Sequence, residues 1–179
     1  IELKELLIKE GVSFTSSSDT EVLFKLLIKK GSKGLGLLNG MFSFVFHDSK
    51  TNTWLAARDH FGIKPLYYTK CGSDLIFASE IKAILKHPKI EVKRDEYSLQ
   101  QYLTFQFCLD NRTLFEGVKK IRPGHFVIGK GSNIIKEVCY WEPNYEIDTN
   151  KTEEWFVHEL QFLLKNSLDL QMRSDVPVG

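Results

Sequence analysis

Nothing in this sequence ties the chain to a charged polymer, a bilayer or a disulfide framework. Lys plus Arg number 24 and Asp plus Glu 23, a formal net charge of +1, so no excess of one sign recruits nucleic acid or an anionic membrane surface. No uninterrupted apolar run reaches the roughly 18 residues of a membrane-spanning helix. The three cysteines, Cys71, Cys108 and Cys139, are an odd number at wide spacing, which excludes a zinc knuckle or a paired redox motif. Free thiols in a reducing, cytoplasmic compartment are expected. A methionine at position 1 is also missing. The chain opens on Ile1 inside a helical pattern, and Glu2, Lys4, Glu5, Lys9 and Glu10 exclude the apolar core of a signal peptide. The expectation is that encoded residues precede Ile1. What the chain does have is 42% hydrophobic and 12% aromatic residues over 179 positions, enough to bury one substantial core and to begin a second domain. Small, near-neutral substrates suit it better than polymers.

Apolar residues at Ile1, Leu3, Leu6 and Leu7 recur with a helical period, and Gly11 follows where a left-handed cap ends such a helix. Ser18 before Asp19, Thr20 and Glu21 reads as a capping box, in which the Ser18 hydroxyl and the Glu21 carboxylate each satisfy a free backbone N–H. Val22, Leu23, Leu26 and Leu27 supply the buried stripe of that second helix, and Gly31, Gly34 and Gly36 break it. Met41, Phe42, Phe44, Val45 and Phe46 form a run that predicts a strand buried on both faces. A turn over 48–52 returns the chain as a strand over 54–58, and 66–69 with 75–78 repeat the device, so the sheet is predicted to be mainly antiparallel. Helical patterns follow over 79–86 and 95–107, then a strand pair over 125–128 and 134–140. From 141 to 150 Pro143, Asn144, Asp148 and Asn150 replace sheet formers, which reads as a linker. Beyond it Trp155, Phe156, Leu160, Leu163, Leu164 and Leu168 mark a longer helix whose core partners lie elsewhere.

A nucleophile paired with a base is hard to find. His47, His60, His87, His125 and His158 lie in unrelated elements, and none stands in a Ser-His or Cys-His context. Cys108 and Cys139 have aromatic or aliphatic sequence neighbours and read as inert, buried thiols, with Cys71 beside Gly72 the more exposed. Arg58, Asp59 and Lys64 invite an anion-binding role, since Gly62 lets a backbone approach closely. The plainer reading is a shaped connection between strands, with Arg58 ion-paired to Asp59 or Glu80 and with Pro65 and Gly62 setting the turn. Glu80 and Lys82 read as a helix start and a solvated charge.

Three blocks carry more information together: Ser17-Ser18-Asp19-Thr20-Glu21, Arg58-Asp59-His60-Phe61-Gly62-Ile63-Lys64-Pro65-Leu66-Tyr67-Tyr68 and Phe77-Ala78-Ser79-Glu80-Ile81-Lys82-Ala83. Their order and spacing resemble class II glutamine amidotransferases. Within that group the chain resembles the asparagine synthetase branch. Leu38-Asn39-Gly40-Met41-Phe42-Ser43-Phe44 opens a strand, Arg122-Pro123-Gly124-His125 is similar to a late hairpin, and Arg173-Ser174-Asp175-Val176-Pro177-Val178-Gly179 resembles the approach to the synthetase's Gly-rich pyrophosphate loop. The resemblance covers essentially all 179 residues. It implies an α+β fold of the amino-terminal-nucleophile hydrolase kind, with two antiparallel sheets packed face to face and helices outside (α-β-β-α), followed by the first helix of an α/β synthetase domain. The implied domains are 1–140, a type 2 glutamine amidotransferase domain lacking its amino-terminal part, a linker over 141–150, and the start of the ATP-using domain over 151–179.

In that family a cysteine at the mature amino-terminus attacks the glutamine side-chain amide, with its own α-amine as base. Position 1 here is Ile1, so the resemblance implies a nucleophile upstream, no catalytic residue in this chain, and no glutaminase activity from the chain alone. The family's arginine for the glutamine carboxylate and its Asn-Gly pair for the oxyanion are likewise implied upstream; Asn39-Gly40 belongs to the strand-opening motif. Asp19 is implied to accept hydrogen bonds from the α-ammonium of glutamine. From position and chemistry alone, Asp19 reads rather as a carboxylate favouring a helix amino-terminus, with Ser18 and Glu21 as capping partners, and only the resemblance reverses that. ATP and magnesium belong to the missing synthetase domain, with no cofactor and no metal expected in this chain. Glutamine, aspartate and ATP are the implied partners, with neither nucleic acid nor membrane, and a homo-oligomer is entertained. For the complete protein the implied reaction converts aspartate, glutamine and ATP to asparagine, glutamate, AMP and diphosphate. Amidation of another carboxylate, or a degenerate module that only binds, stay open beside it.

Overall fold

The computed structural model describes residues 2–172; Ile1 and the block from Arg173 to Gly179 fall outside them. The chain divides into two compact units, Ile1–Glu142 and Pro143–Gly179.

The first unit is built on β2 (Thr53–Arg58), whose sequence TWLAAR is buried at its four central positions. This strand is interior to the first sheet, ordered β1-β2-β6-β7 with β1 at Ser43–Asp48, β6 at His125–Lys130 and β7 at Asn133–Cys139, and layers packed on both sides of that sheet cover its two faces. Every pairing in it is antiparallel. A second sheet, also antiparallel, has the order β4-β3-β5, with β3 at Tyr67–Cys71, β4 at Asp74–Ala78 and β5 at Val118–Lys120. The two-residue alternation of strand side chains then assigns two cores. Trp54 and Ala56 of β2 and Val127 of β6 face the second sheet, where they meet Leu66, Tyr68 and Ile121 with Leu75 and Phe77. Leu55, Ala57 and Phe126 point the other way, onto Leu27 and Leu35 with Leu23, Phe44 and Phe46 around them.

Leu27 belongs to α2 (Asp19–Lys30), and Leu35 to a 3-10 helix at Gly31–Leu37. These and α1 (Glu2–Lys9) form the layer over the first sheet, with Leu7 and Leu26 fully buried within it. On the second sheet α3 (Ile81–Leu85) packs against β3 and β4, with Ile84 fully buried. Helix α4 (Glu96–Phe105) is capped by Asp95, whose carboxylate accepts the Ser98 N–H at 2.7 Å. The expected α+β sandwich of two antiparallel sheets with outer helices is therefore the observed one.

Three local expectations need correction. The strand around Phe44 and Phe46 is not buried on both faces. It is the edge strand β1, paired only with β2, and Val45 is 40% exposed while Phe44 and Phe46 face the core. An apolar run reports hydrophobicity, whereas a strand's place in its sheet depends on partners far along the chain. The glycines at 31, 34 and 36 do not merely end α2; they form the 3-10 helix that seats Leu35. Strand β5 has no counterpart in the sequence pattern, since Val118, Lys119 and Lys120 carry no alternating apolar signal, and only pairing with β3 defines it.

The second unit consists of the segment from Pro143 and α5 (Glu153–Gln171), whose Thr152 cap accepts the Trp155 N–H at 3.3 Å. Within α5 no residue is buried, and Trp155, Phe156, Leu160, Leu163, Leu164 and Leu168 are all exposed.

Candidate functional site

Asp19 is the first residue of α2 and is exposed. Among the described residues its carboxylate receives one side-chain contact, from the Thr20 hydroxyl at 3.4 Å, so most of its acceptor capacity is open to a ligand. Ser18 caps the helix as expected, although its hydroxyl accepts from the Thr20 N–H at 3.2 Å. The reciprocal half of the capping box is absent. Glu21 does not return to the Ser18 N–H; its Oε1 accepts from the Thr15 N–H (3.0 Å) and hydroxyl (3.1 Å), and its Oε2 from the Ser16 N–H (2.7 Å) and hydroxyl (2.7 Å). The Ser18 N–H is instead accepted by the Ser16 hydroxyl at 3.3 Å. Two carboxylates two residues apart thus have opposite states: Glu21 is saturated by its own chain, and Asp19 is not.

The Ser16 hydroxyl, followed by the Thr15 N–H, holds the Glu21 carboxyl down at about 2. Because the folded-state value is depressed, the stabilisation it carries is complete above its ordinary value of 4.5 and is lost as pH falls through about 2. The stability difference between wild type and Glu21→Gln is therefore expected to be constant above pH 4.5 and to close between pH 4.5 and 2, as read by denaturant unfolding at stepped pH.

The second block, Arg58 to Lys64, carries the chain from the first sheet to the second. No ion pair joins Arg58 to Asp59 or to Glu80 among the described residues, contrary to expectation. The Arg58 guanidinium donates to the carbonyls of Lys64 (2.9 Å), Ile121 (2.9 Å) and Gly62 (2.5 Å). Asp59, 1% exposed, accepts from the backbone N–H groups of Ile63 (2.9 Å), Lys64 (2.9 Å) and Phe42 (3.3 Å). Glu80 pairs with Lys82 at 2.5 Å on the surface. Arg58 ends β2 and Asp59 begins the connection, and each is occupied by main-chain groups of the loops it faces and not by the other. Burial pulls the Arg58 guanidinium below its ordinary value, against the raising effects of Tyr67 and Asp59. Gly62 sits at φ 65°, and a Cβ there would lie 2.8 Å from the Arg58 guanidinium carbon and 2.9 Å from Pro123. The amides that an outside anion would need are already taken by Asp59, which leaves this block as a connection. Tyr140 closes it, donating its hydroxyl to the Arg58 carbonyl at 2.8 Å; burial, with Asp59 nearby, pushes that phenol well above its ordinary value.

The thiols are ordered differently from expectation: Cys139 is exposed, and Cys71 and Cys108 are half-buried. Cys139 ends β7, an edge strand of the first sheet, so apolar sequence neighbours do not bury it. Each sulfur lies near a carbonyl, of Lys89, Ser98 or Trp141, and none is bonded to a histidine. His60 stacks on Trp141 with centroids 4.7 Å apart, and its Nε2 is buried without a partner. His47 meets Asn52, and His125 meets the Pro123 carbonyl. A cavity of about 200 Å³ beside α4 is lined by Asp95, Asp110, Arg112 and Thr113, but Arg112 and Asp95 already pair there at 3.3 Å. Among the described residues no group of three or more His, Cys, Asp or Glu is placed to hold a metal ion, and no helix is long and apolar enough to cross a membrane.

Two antiparallel sheets, stacked face to face and covered by helices, define an α+β sandwich, and Asp19 lies exposed at the amino-terminus of one of its outer helices. The solved glutamine phosphoribosylpyrophosphate amidotransferase of B. subtilis shares this fold, with a TM-score of 0.54 and 21% identity over 79% of this chain and 27% of that one. The model of the glutamine amidotransferase domain matches residues 1–141, and the chain belongs to that family. Asparagine synthetase [glutamine-hydrolyzing] 1 of Bacillus subtilis (strain 168) is 37% identical over 179 residues, covering 100% of this chain and 28% of the relative. Asparagine synthetase [glutamine-hydrolyzing] 3 of the same organism is 37% identical over 180 residues, 99% of this chain and 29% of its own. Amidase chyE of Penicillium rubens is 30% identical over 169 residues, 93% of this chain and 25% of its own. The chain thus spans under a third of the length of these curated relatives.

Proposed function

We propose that the complete protein is a glutamine-dependent asparagine synthetase and that this chain supplies most of its glutamine-hydrolysing domain. The observation that carries the proposal is the extent of the similarity. The amidotransferase model ends at residue 141, whereas the likeness to the two B. subtilis synthetases runs on through α5. On this reading Asp19 binds the α-ammonium of glutamine, supported by its open carboxylate beside a Glu21 that has none to offer. The attacking thiol, the arginine for the glutamine carboxylate and the oxyanion donors belong to residues other than these 179. So do ATP and magnesium, which the second domain uses to adenylate aspartate before ammonia displaces AMP. Residues 143–172 are its first segment, and the exposed apolar side chains of α5 are what a helix carries when its core partners come from later sequence.

A second reading, amidation of a different carboxylate, is kept because relatives not named as synthetases also match: amidase chyE, and amidase chry2 of Gibberella zeae, 31% identical over 169 residues. The test supplies the complete protein with glutamine, ATP, magnesium and aspartate and follows asparagine and AMP. Equal amounts of both support the synthetase reading; glutamate without asparagine overturns it in favour of another acceptor. In the same assay Asp19→Asn is expected to raise the KM for glutamine by about 10–100-fold, the worth of one charge-assisted bond of about 1.5–3 kcal/mol.

A further inference from the structure

We infer that Glu21 is a positioning residue for glutamine binding, holding Asp19 in its working place through the turn at Thr15 and Ser16; this rests on the role proposed for Asp19. The segment before α2, residues 12–18, is exposed apart from half-buried Val12 and Phe14, so apolar packing does little to fix its end. Polar bonds do. The Glu21 Oε2 holds the Ser16 N–H and hydroxyl at 2.7 Å each, and Oε1 holds Thr15. The Ser16 oxygen accepts the Ser18 N–H at 3.3 Å, Ser18 accepts the Thr20 N–H at 3.2 Å, and the Thr20 hydroxyl touches Asp19 at 3.4 Å.

Proton direction is consistent along this relay: Ser16 spends its single hydroxyl proton on Glu21 and still has lone pairs for Ser18. From the opposite side Lys4 of α1 donates to the Ser16 carbonyl at 2.8 Å. Helices α1 and α2 are themselves joined where Lys29 and Lys30 meet Glu10 at 3.3 and 2.7 Å. The turn is therefore gripped by one charged side chain from each helix. A carboxylate serving only as a cap would take the Ser18 N–H; Glu21 passes over it to residues five and six positions back. What this arrangement supplies is preorganisation. An open carboxylate on a polar loop binds weakly if the loop must first be ordered, and a supporting layer of hydrogen bonds removes that cost.

The test compares Glu21→Gln, Asp19→Ala and the double variant in the complete protein, measuring glutaminase kcat and KM. The carboxamide in Glu21→Gln presents donors to the Thr15 or Ser16 N–H that an oxygen now accepts, so the turn loosens while size is kept. A rise in KM of about tenfold with kcat within about twofold is expected. In the Asp19→Ala background the same change is expected to add less than about twofold, since Glu21 acts through Asp19. If Asp19→Ala raises KM but Glu21→Gln leaves it unchanged, or if the two effects multiply, the positioning role is overturned. If Asp19→Ala itself leaves KM unchanged, the underlying assignment fails first. Should Glu21→Gln not fold, Ser16→Ala decides in its place: a KM rise of at least about threefold at retained kcat supports the relay, and an unchanged KM overturns it.

Discussion

Asp59→Ala is expected to destabilise the first unit by about 3–5 kcal/mol, the cost of taking the shared acceptor from three backbone donors at about 1–3 kcal/mol each, less what water recovers. Its carboxylate is 1% exposed and is the shared acceptor for the N–H groups of Phe42, Ile63 and Lys64. Alanine would leave these amides facing one another with no acceptor, each at about 1–3 kcal/mol, partly recovered where water enters. The damage also spreads through the backbone, because the Asp59 N–H donates to Phe42 and its carbonyl accepts from Gly62 and Gly124. The bonds at this residue tie β1, the connection and the approach to β6 together. Asp59→Asn should cost less than alanine. Its carbonyl oxygen can keep the Phe42 and Lys64 donors, while its NH2 would oppose the Ile63 N–H. Thermal unfolding checks the order: a drop of about 10–15 °C for alanine and a smaller one for asparagine. Equal, small shifts in both would mean that the amides find other acceptors and that Asp59 is not the hub.

Gly129→Ala is expected to be the other severe lesion, through space rather than charge. Gly129 lies opposite Trp54 in the β2/β6 pairing, and a Cβ on it would run into the Trp54 indole and stand 2.5 Å from the Asn133 carbonyl. The indole cannot move aside without loss. It is 6% exposed, packs edge-on to Phe77 at 5.2 Å, and donates its Nε1–H to the Gly131 carbonyl at 2.8 Å. Overpacking of about 1–3 kcal/mol plus about 1 kcal/mol for a strained indole bond gives a cost of about 2–4 kcal/mol. Trp54→Leu removes the ring, and in that background Gly129→Ala should cost less, the contact with the Asn133 carbonyl remaining. A double-mutant cycle by denaturant unfolding measures this: non-additivity is expected, and simple additivity would remove the indole from the explanation.

These two residues also show how far the sequence could be read. In Arg58-Asp59-His60-Phe61-Gly62-Ile63-Lys64-Pro65 a shaped connection was legible from Gly62 and Pro65, because glycine's conformational freedom and proline's missing N–H are properties of the residue itself. The partners of Arg58 and Asp59 were not legible. An ion pair is the simplest guess for adjacent opposite charges, but the geometry sends each to the main chain. Similarly, Ser18 was readable as a cap, since capping is a contact within one turn of the helix. That Glu21 would reach Thr15 and Ser16 required knowing how the chain enters α2. Gly129 invites the reading that it opens a turn over 129–133, whereas it lies inside β6, opposite an indole 75 positions earlier in the chain.

The sequence by itself determined the class of fold, the helices and most strands, and the family to which residues 1–141 belong. These follow from period, turn chemistry and ordered motifs, all of which are local or collinear. Only the tertiary structure decided that β2 rather than β1 is the strand covered on both sides, that three residues with two lysines form β5, and which of two nearby carboxylates is saturated and which is open. Each of these depends on a partner distant in sequence, and hydrogen bonding and close packing select that partner only once the chain has folded.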